Sequence, residues 1–274
     1  MPFYDIISAD KLKMPDKLYK FRSWTNNNHK KIIIENKIYF ASPKSFEDEK
    51  DCNPIEVVPD ELFIRSFYEQ KSIELHPDLN EEDRIKEVQE FFEQCPMLDP
   101  NKLPTILRET REAYYNQFGV LSLTENIDND AMWNKYADDY RGVCIKFNTE
   151  KLMSIAGGGG KVIYCDNLPK VVLLKDDTLT EHIKRVYYKE NKWMFEEEYR
   201  AHKMWAHGVT NEERNLLMPE GTIEEVIIGY RMPNEEKEDL IKYVNQYQPQ
   251  AIISIFTRNA CLVKRFRRII ISAP

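Results

Sequence analysis

The chain has no C-x-x-C pair, no H-E-x-x-H signature and no hydrophobic run near the roughly 18 residues that a membrane span requires. Its five cysteines, Cys52, Cys95, Cys144, Cys165 and Cys261, are odd in number and widely spaced. A disulfide framework or a zinc site is therefore not expected, no metal is assigned, and the chain reads as cytoplasmic. Cys144 sits in the apolar run Gly142–Ile145, where an inert buried thiol is the usual case. Net basic charge is also missing. A formal charge of -7 argues against broad affinity for nucleic acid or anionic membranes. Asp5 and Asp10 interrupt the first ten residues, which do not read as a signal peptide. Glycine is scarce, and four of the nine stand together at Gly157–Gly160. That run lacks the Lys-Ser or Lys-Thr helix start of a phosphate loop and reads as a mobile hairpin or loop.

What is present is core-forming material: over 274 residues, 42% are hydrophobic and 12% are aromatic. Lys17–Arg22 alternates like a strand, Thr25 or Asn26 caps a short helix through Glu35, and Lys37–Ser42 is a second strand. From about 59 to 117 the apolar spacing turns helical, with breaks near Pro77 and from Pro96 to Pro100. Gly119–Leu123 and Gly142–Phe147 are strands flanking a helix over Asn129–Asp138. A helix is expected from Thr178 to about Lys192, and strands at Tyr199–Trp205, Asn215–Met218, Glu225–Gly229, Ala251–Phe256 and Cys261–Ile271. A helix over Asn234–Tyr247 lies among these last strands. The basic run Lys264, Arg265, Arg267, Arg268 is read as the charged side of an edge strand. Strands and helices without strict alternation indicate an α+β fold: a mixed, mostly antiparallel sheet core with a helical insertion, in a single domain over 1–274.

The densest chemistry lies in Lys189–Arg200, where three glutamates follow aromatic residues and precede an arginine. Read as a strand, it places Trp193, Phe195, Glu197 and Tyr199 on one face and Glu196, Glu198, Arg200 and His202 on the other. Carboxylates at i and i+2 then lie about 7 Å apart, close enough for one to stay protonated while the other is charged. Read as a helix, Glu196 and Arg200 become an i,i+4 surface pair worth a few tenths of a kcal/mol.

The segments Leu18–Arg22, Ile38–Pro43, Phe46–Glu49, Ser122–Thr124, Met132–Asp138, Gly142–Phe147 and the run from Lys189 to Arg200 resemble, in order, the motifs of a bacterial family called domain of unknown function 2971. Two departures stand out: Glu47 and Glu49 replace an asparagine and a proline, and Lys135 replaces a histidine. In the order Arg22, Tyr39, Ser42 and Glu198 the chain also resembles ADP-ribosyltransferase-like folds. That second resemblance implies that Arg22 orients a dinucleotide and Tyr39 stacks on nicotinamide. It further implies that Glu198 stabilises an oxocarbenium-like transition state, with NAD as the substrate and no further cofactor.

The leading expectation is thus an enzyme acting at a glycosidic bond of a nucleotide or NAD, by ADP-ribosyl transfer or NAD hydrolysis. Glu198 and Glu196 are its catalytic candidates, and Arg22, Tyr39, Ser42, Trp133, Tyr136, Lys189 and Arg200 its binding candidates. The alternative is a non-enzymatic interaction, sensor or phage-defence module whose inserted helices meet a protein partner. A magnesium nuclease built on Glu196, Glu198 and Lys203 is a third, weaker pattern. Against all of these stands a purely structural account, in which Trp133, Tyr136, Trp193 and Tyr199 pack together and the acids tie strands through salt bridges.

Overall fold

A computed structural model describes residues 14–174, 178–257 and 264–266. The expectations for the first ten residues, and for Cys261, Arg267, Arg268 and Ile269–Ile271, lie outside the described residues. The chain opens with β1 (Lys17–Arg22), α1 (Asn27–Ile34) and β2 (Lys37–Tyr39). Asn26 caps α1, its side chain accepting the Asn28 N–H at 2.9 Å. After β3 (Glu56–Val57) come α2 (Glu61–Leu75), α3 (Glu81–Glu93) and α4 (Leu103–Gln117), interrupted at the prolines as the spacing predicts. Next are β4 (Phe118–Thr124), α5 (Asp130–Tyr136), β5 (Val143–Asn148) and α6 (Thr149–Met153). Then follow β6 (Gly158–Lys161), β7 (Ile163–Cys165), β8 (Val171–Val172), α7 (Thr178–Tyr187), β9 (Tyr188–Glu190) and β10 (Glu198–Met204). The remainder comprises β11 (Asn215–Leu217), β12 (Ile223–Ile228), α8 (Asn234–Tyr247), β13 (Ile252–Ile255) and β14 (Lys264–Phe266).

Eight strands form the main sheet in the order β14-β13-β12-β5-β1-β4-β10-β6. Within this sheet, among the described residues, only β12 and β13 run parallel, and α8 makes the long crossover that parallel neighbours need. The fold is α+β with a mostly antiparallel mixed sheet. One face packs Leu18, Ile33, Ile38, Leu121, Tyr199 and Val226. On the other, Tyr19, Phe21, Trp133, Tyr140 and Phe256 form a second cluster. No helix among the described residues is long and apolar enough to cross a membrane.

Three sequence expectations are corrected. Gly158–Gly160 is an edge strand paired with β10, not a loop. A Cβ on Gly159 would sit 2.4 Å from Met153 Cε and 2.9 Å from the Arg200 carbonyl, and one on Gly158 would meet the His202 ring at 2.8 Å. The glycines are there for close packing rather than for motion. The helix expected to reach Lys192 ends at Tyr187, and Tyr188–Glu190 pairs with β7. Finally, Asn191–Glu196 is a 3-10 helix, so the extended segment begins only at Glu198.

The sheet is seamed in the middle. β1 meets β4 at Tyr19↔Thr124 alone, whereas β5 pairs with all six residues of β1. Further along, Ala41 takes the place of β1, exchanging 2.8 Å hydrogen bonds with Val120. Between these two contacts lies Ser122, whose carbonyl receives the Lys20 amine at 2.6 Å. A side chain thereby supplies the donor that a ladder N–H would otherwise provide.

Candidate functional site

The seam opens into a cavity of about 310 Å³ lined from both walls and from the loop after β2. Tyr19 and Phe21 line it together with Lys20 and Arg22, although alternation sends these pairs to opposite faces. Such mixing occurs where neighbouring strands part. Of the residues expected from sequence, Arg22, Tyr39, Tyr136, Lys189, Glu196 and Glu198 all line this one cavity.

The three glutamates are sorted by backbone geometry. Glu197 adopts a left-handed conformation with φ 44° and points outward, accepting a 2.8 Å bond from Asn126. That turn brings both Glu196 and Glu198 inward, where each is almost fully buried. The predicted strand face therefore holds for Glu198, Arg200 and His202 but not for Glu196, which reaches the cavity from the 3-10 turn.

Lys189 is the hub. Its Nζ lies 2.5 Å from Glu196, 3.0 Å from Glu198 and 3.3 Å from Asp51. Arg200 closes the array from beneath: Nε donates to Glu198 at 2.8 Å, and Nη2 donates to Glu198 at 2.9 Å and to Asp51 at 2.7 Å. Arg200 is wholly buried and is not a wall of the cavity, which corrects its expected role as a ligand contact. Burial alone would push the Glu198 carboxyl up, yet Arg200 and Lys189 hold it well below the usual carboxylate range. Glu196 moves the other way: burial raises it, the Glu198 charge adds to this, and Lys189 only partly opposes them. The Tyr136 hydroxyl donates to Glu196 at 2.5 Å. Burial opposes the Lys189 charge, but Glu198 and Asp51 outweigh it and raise the ammonium above its ordinary value.

Two cations on β1 complete the wall. Among the described residues neither Lys20 nor Arg22 makes an ion pair. Burial and the neighbouring Arg22 hold the Lys20 amine well below its ordinary value. Burial brings Arg22 down to about 10, so it remains cationic at neutral pH. Asp51 Oδ1 is buried with no hydrogen-bond partner among the described residues.

Two further candidates lie elsewhere. The Ser42 hydroxyl donates to the Tyr115 carbonyl at 2.9 Å and does not line the cavity. Trp133 is a core residue, stacked on Tyr140 at 5.4 Å, its indole donating to the Ile127 carbonyl at 3.0 Å. The single aromatic cluster does not form either, since Tyr199 packs on the opposite face and Trp193 stands at the rim, bonded to Asp48 at 2.6 Å. Lys203 points away from Glu198 and donates to the Ile155 carbonyl at 2.9 Å, which removes the acid-acid-lysine pattern. Among the described residues no group of three or more His, Cys, Asp or Glu side chains is placed to hold a metal ion. Cys144 is buried as expected, and burial pushes its thiol up.

Sequence reasoning missed Lys20, Asp51 and Ser122. Lys20 alternates in step with Leu18 and Arg22, so its place in the seam is invisible without the partner strand. Asp51 lies just beyond the Phe46–Glu49 run and belongs to no marked pattern.

Residues 132–201 match the family model described as Protein of unknown function (DUF2971). The match supports the family that the motifs resemble. The DUF2971 segment runs from α5 into β10 and carries Tyr136, Lys189, Glu196, Glu198 and Arg200, whereas Lys20, Arg22, Tyr39 and Asp51 reach the same cavity from outside it. No curated protein and no solved structure matches the chain. The two departures from the DUF2971 motifs meet in space: Lys135 pairs with Glu47 at 2.9 Å at the cavity rim, its ammonium 4.6 Å from the Trp193 ring centre.

Proposed function

We propose that the seam cavity binds a nucleotide-like molecule and breaks its glycosidic bond, with NAD as the first candidate. One observation carries the reading. Two buried carboxylates share a cavity in unlike surroundings: Arg200 and Lys189 hold Glu198 down, whereas burial and the Glu198 charge push Glu196 up. Environments that push a pair apart in this way divide acid and base roles. For a base that leaves as an anion, Glu196 supplies the proton, with the Tyr136 hydroxyl orienting its carboxyl. It then takes the proton of the water that adds to the sugar cation. The nicotinamide of NAD already leaves as a neutral ring and needs no proton. Glu198, locked by Arg200 and Lys189, offers fixed negative charge to a cationic sugar and gains strength as that charge develops. The unpaired Asp51 Oδ1 suits a ribose hydroxyl, and Arg22 and Tyr39 suit phosphate and a flat ring.

The test is to incubate the protein with NAD and other nucleotides and measure released base by mass spectrometry. Glu198→Gln, in protein shown to be folded by circular dichroism, is expected to lower release from NAD and from other nucleotides by about 10²–10³. Release that stays within twofold in that variant, or no release from any nucleotide, would overturn the assignment.

A second reading draws on α2 and α3. Leu62, Ile73, Leu75 and Ile85 are exposed there, and α3 buries none of its residues. Apolar side chains presented on helices suit a protein partner, so an interaction or sensor module is the alternative. A folded protein lacking these helices that still captures the same partner would count against it.

A further inference from the structure

A second cavity of about 470 Å³ shares Lys20, Arg22 and Tyr39 with the first, and continues from them along α1, β2 and β11. Its chemistry differs. The first cavity carries a cluster of acids, whereas the only acid on this wall is Glu212. Glu212 lies 3.5 Å from Lys31 and 3.3 Å from Lys37, and its side chain is 65% exposed. Lys37 is also 3.2 Å from Glu35. His29 stands on the same wall, hydrogen-bonded to the Ser23 carbonyl at 3.0 Å, and burial lowers it to about 4, leaving it neutral at pH 7. The Tyr39 hydroxyl donates to Asn211 at 3.0 Å across the mouth.

A solvent-facing carboxylate bridging two lysines is a weak internal anion. Exposed pairs of this length contribute little stability, so a stronger external anion displaces it at small cost. Arg22 stands at the junction of the two cavities with no carboxylate partner among the described residues, and its planar fork matches a phosphate.

We propose that the second cavity is an anion lobe in which Arg22, Lys31 and Lys37 bind the phosphate groups of the substrate, with Glu212 occupying their place until the substrate arrives. The substrate class is therefore a phosphorylated nucleoside that spans the seam. Its sugar faces Glu196 and Glu198, and its phosphates lie beyond Arg22. In naming the substrate the proposal rests on the nucleotide reading above, while the anion lobe stands on its own geometry.

The experiment is titration calorimetry of the full chain with pyrophosphate at low salt, alongside base release from nucleotides. Each charge-assisted contact to phosphate is worth about tenfold or more in affinity. The Lys31→Ala, Lys37→Ala double variant is therefore expected to weaken pyrophosphate binding by about tenfold or more. Glu212→Gln is expected to tighten it several-fold, and Glu196→Gln to leave it unchanged. Equal affinity for wild type and the double lysine variant, or no pyrophosphate binding even by Glu212→Gln, would overturn the lobe. The two ideas separate cleanly. Pyrophosphate binding that depends on the lysines without release of base from any nucleotide sinks the glycosidic reading and keeps the lobe. Base release whose KM ignores Lys31 and Lys37 does the reverse.

Discussion

Replacing Arg200 with methionine tests the acid array most directly. The change keeps much of the side-chain volume and removes a fully buried guanidinium that makes three hydrogen bonds to Glu198 and Asp51. Two more, to the Cys52 sulfur at 3.2 Å and to the Val186 carbonyl at 2.5 Å, are lost as well. Glu198 and Asp51 are then left buried with Lys189 as their nearest cation. Breaking a buried pair by deleting one partner costs about 3–5 kcal/mol. For a chain of this size that corresponds to a fall in Tm of about 5–9 °C. The pH dependence supplies a second readout. Glu198 is depressed in the folded state, so the stability it contributes is fully present above the unfolded value near ~4.3 and is lost as pH falls towards the folded one. The gap between wild type and Arg200→Met is therefore widest at neutral pH and narrows below about pH 4. Arg200→Lys should fall between them, because an ammonium cannot make the paired fork. Thermal melts at pH 7 and pH 3.5 measure both effects. A variant melting within a degree of wild type at pH 7 would refute the array's role.

Gly159→Ala is expected to cost about 1–3 kcal/mol in urea denaturation, since its Cβ would overlap the Arg200 carbonyl as well as the yielding Met153 methyl. An unchanged midpoint would show that β6 does not pack this closely. At Glu197 the left-handed backbone predicts that valine is worse than glycine by about 1–3 kcal/mol, and equal midpoints for the two variants would contradict the turn. Native-state alkylation followed by peptide mapping should mark Cys165, which is partly exposed, well before Cys52 and Cys144. Burial also pushes the Cys52 and Cys144 thiols up. Equal labelling of Cys144 would place it outside the core.

Much of the architecture could be read from periodicity, because local signals and tertiary packing agree. The Asn26 cap, the strand over Lys17–Arg22 and the proline breaks among α2, α3 and α4 depend on neighbours a few residues away. The site was legible only where its residues belong to a marked local pattern, as with Arg22, Glu196 and Glu198. The 3-10 turn at Asn191–Glu196 escaped notice because Trp193 and Phe195 alternate as well in a turn as in a strand. Arg200 reads from sequence as a ligand contact rather than a buried tie, since its partner Asp51 is 149 residues away and no local pattern announces a contact of that separation. The glycine run misled for a related reason. Its meaning depends on Met153, His202 and Tyr187, which pack against it from other elements.

The route of the chain across the seam has a consequence for how the protein can be divided. β1 lies on one side of it, β4 on the other, β5 returns to the first, β6 and β10 return to the second, and β12 ends back on the first. Four crossings interleave the two walls, so no single cut yields fragments that each own one bank of the groove. A split version of this protein would have to rejoin both pieces before either bank existed, which makes complementation of fragments a direct reporter of the assembled binding surface.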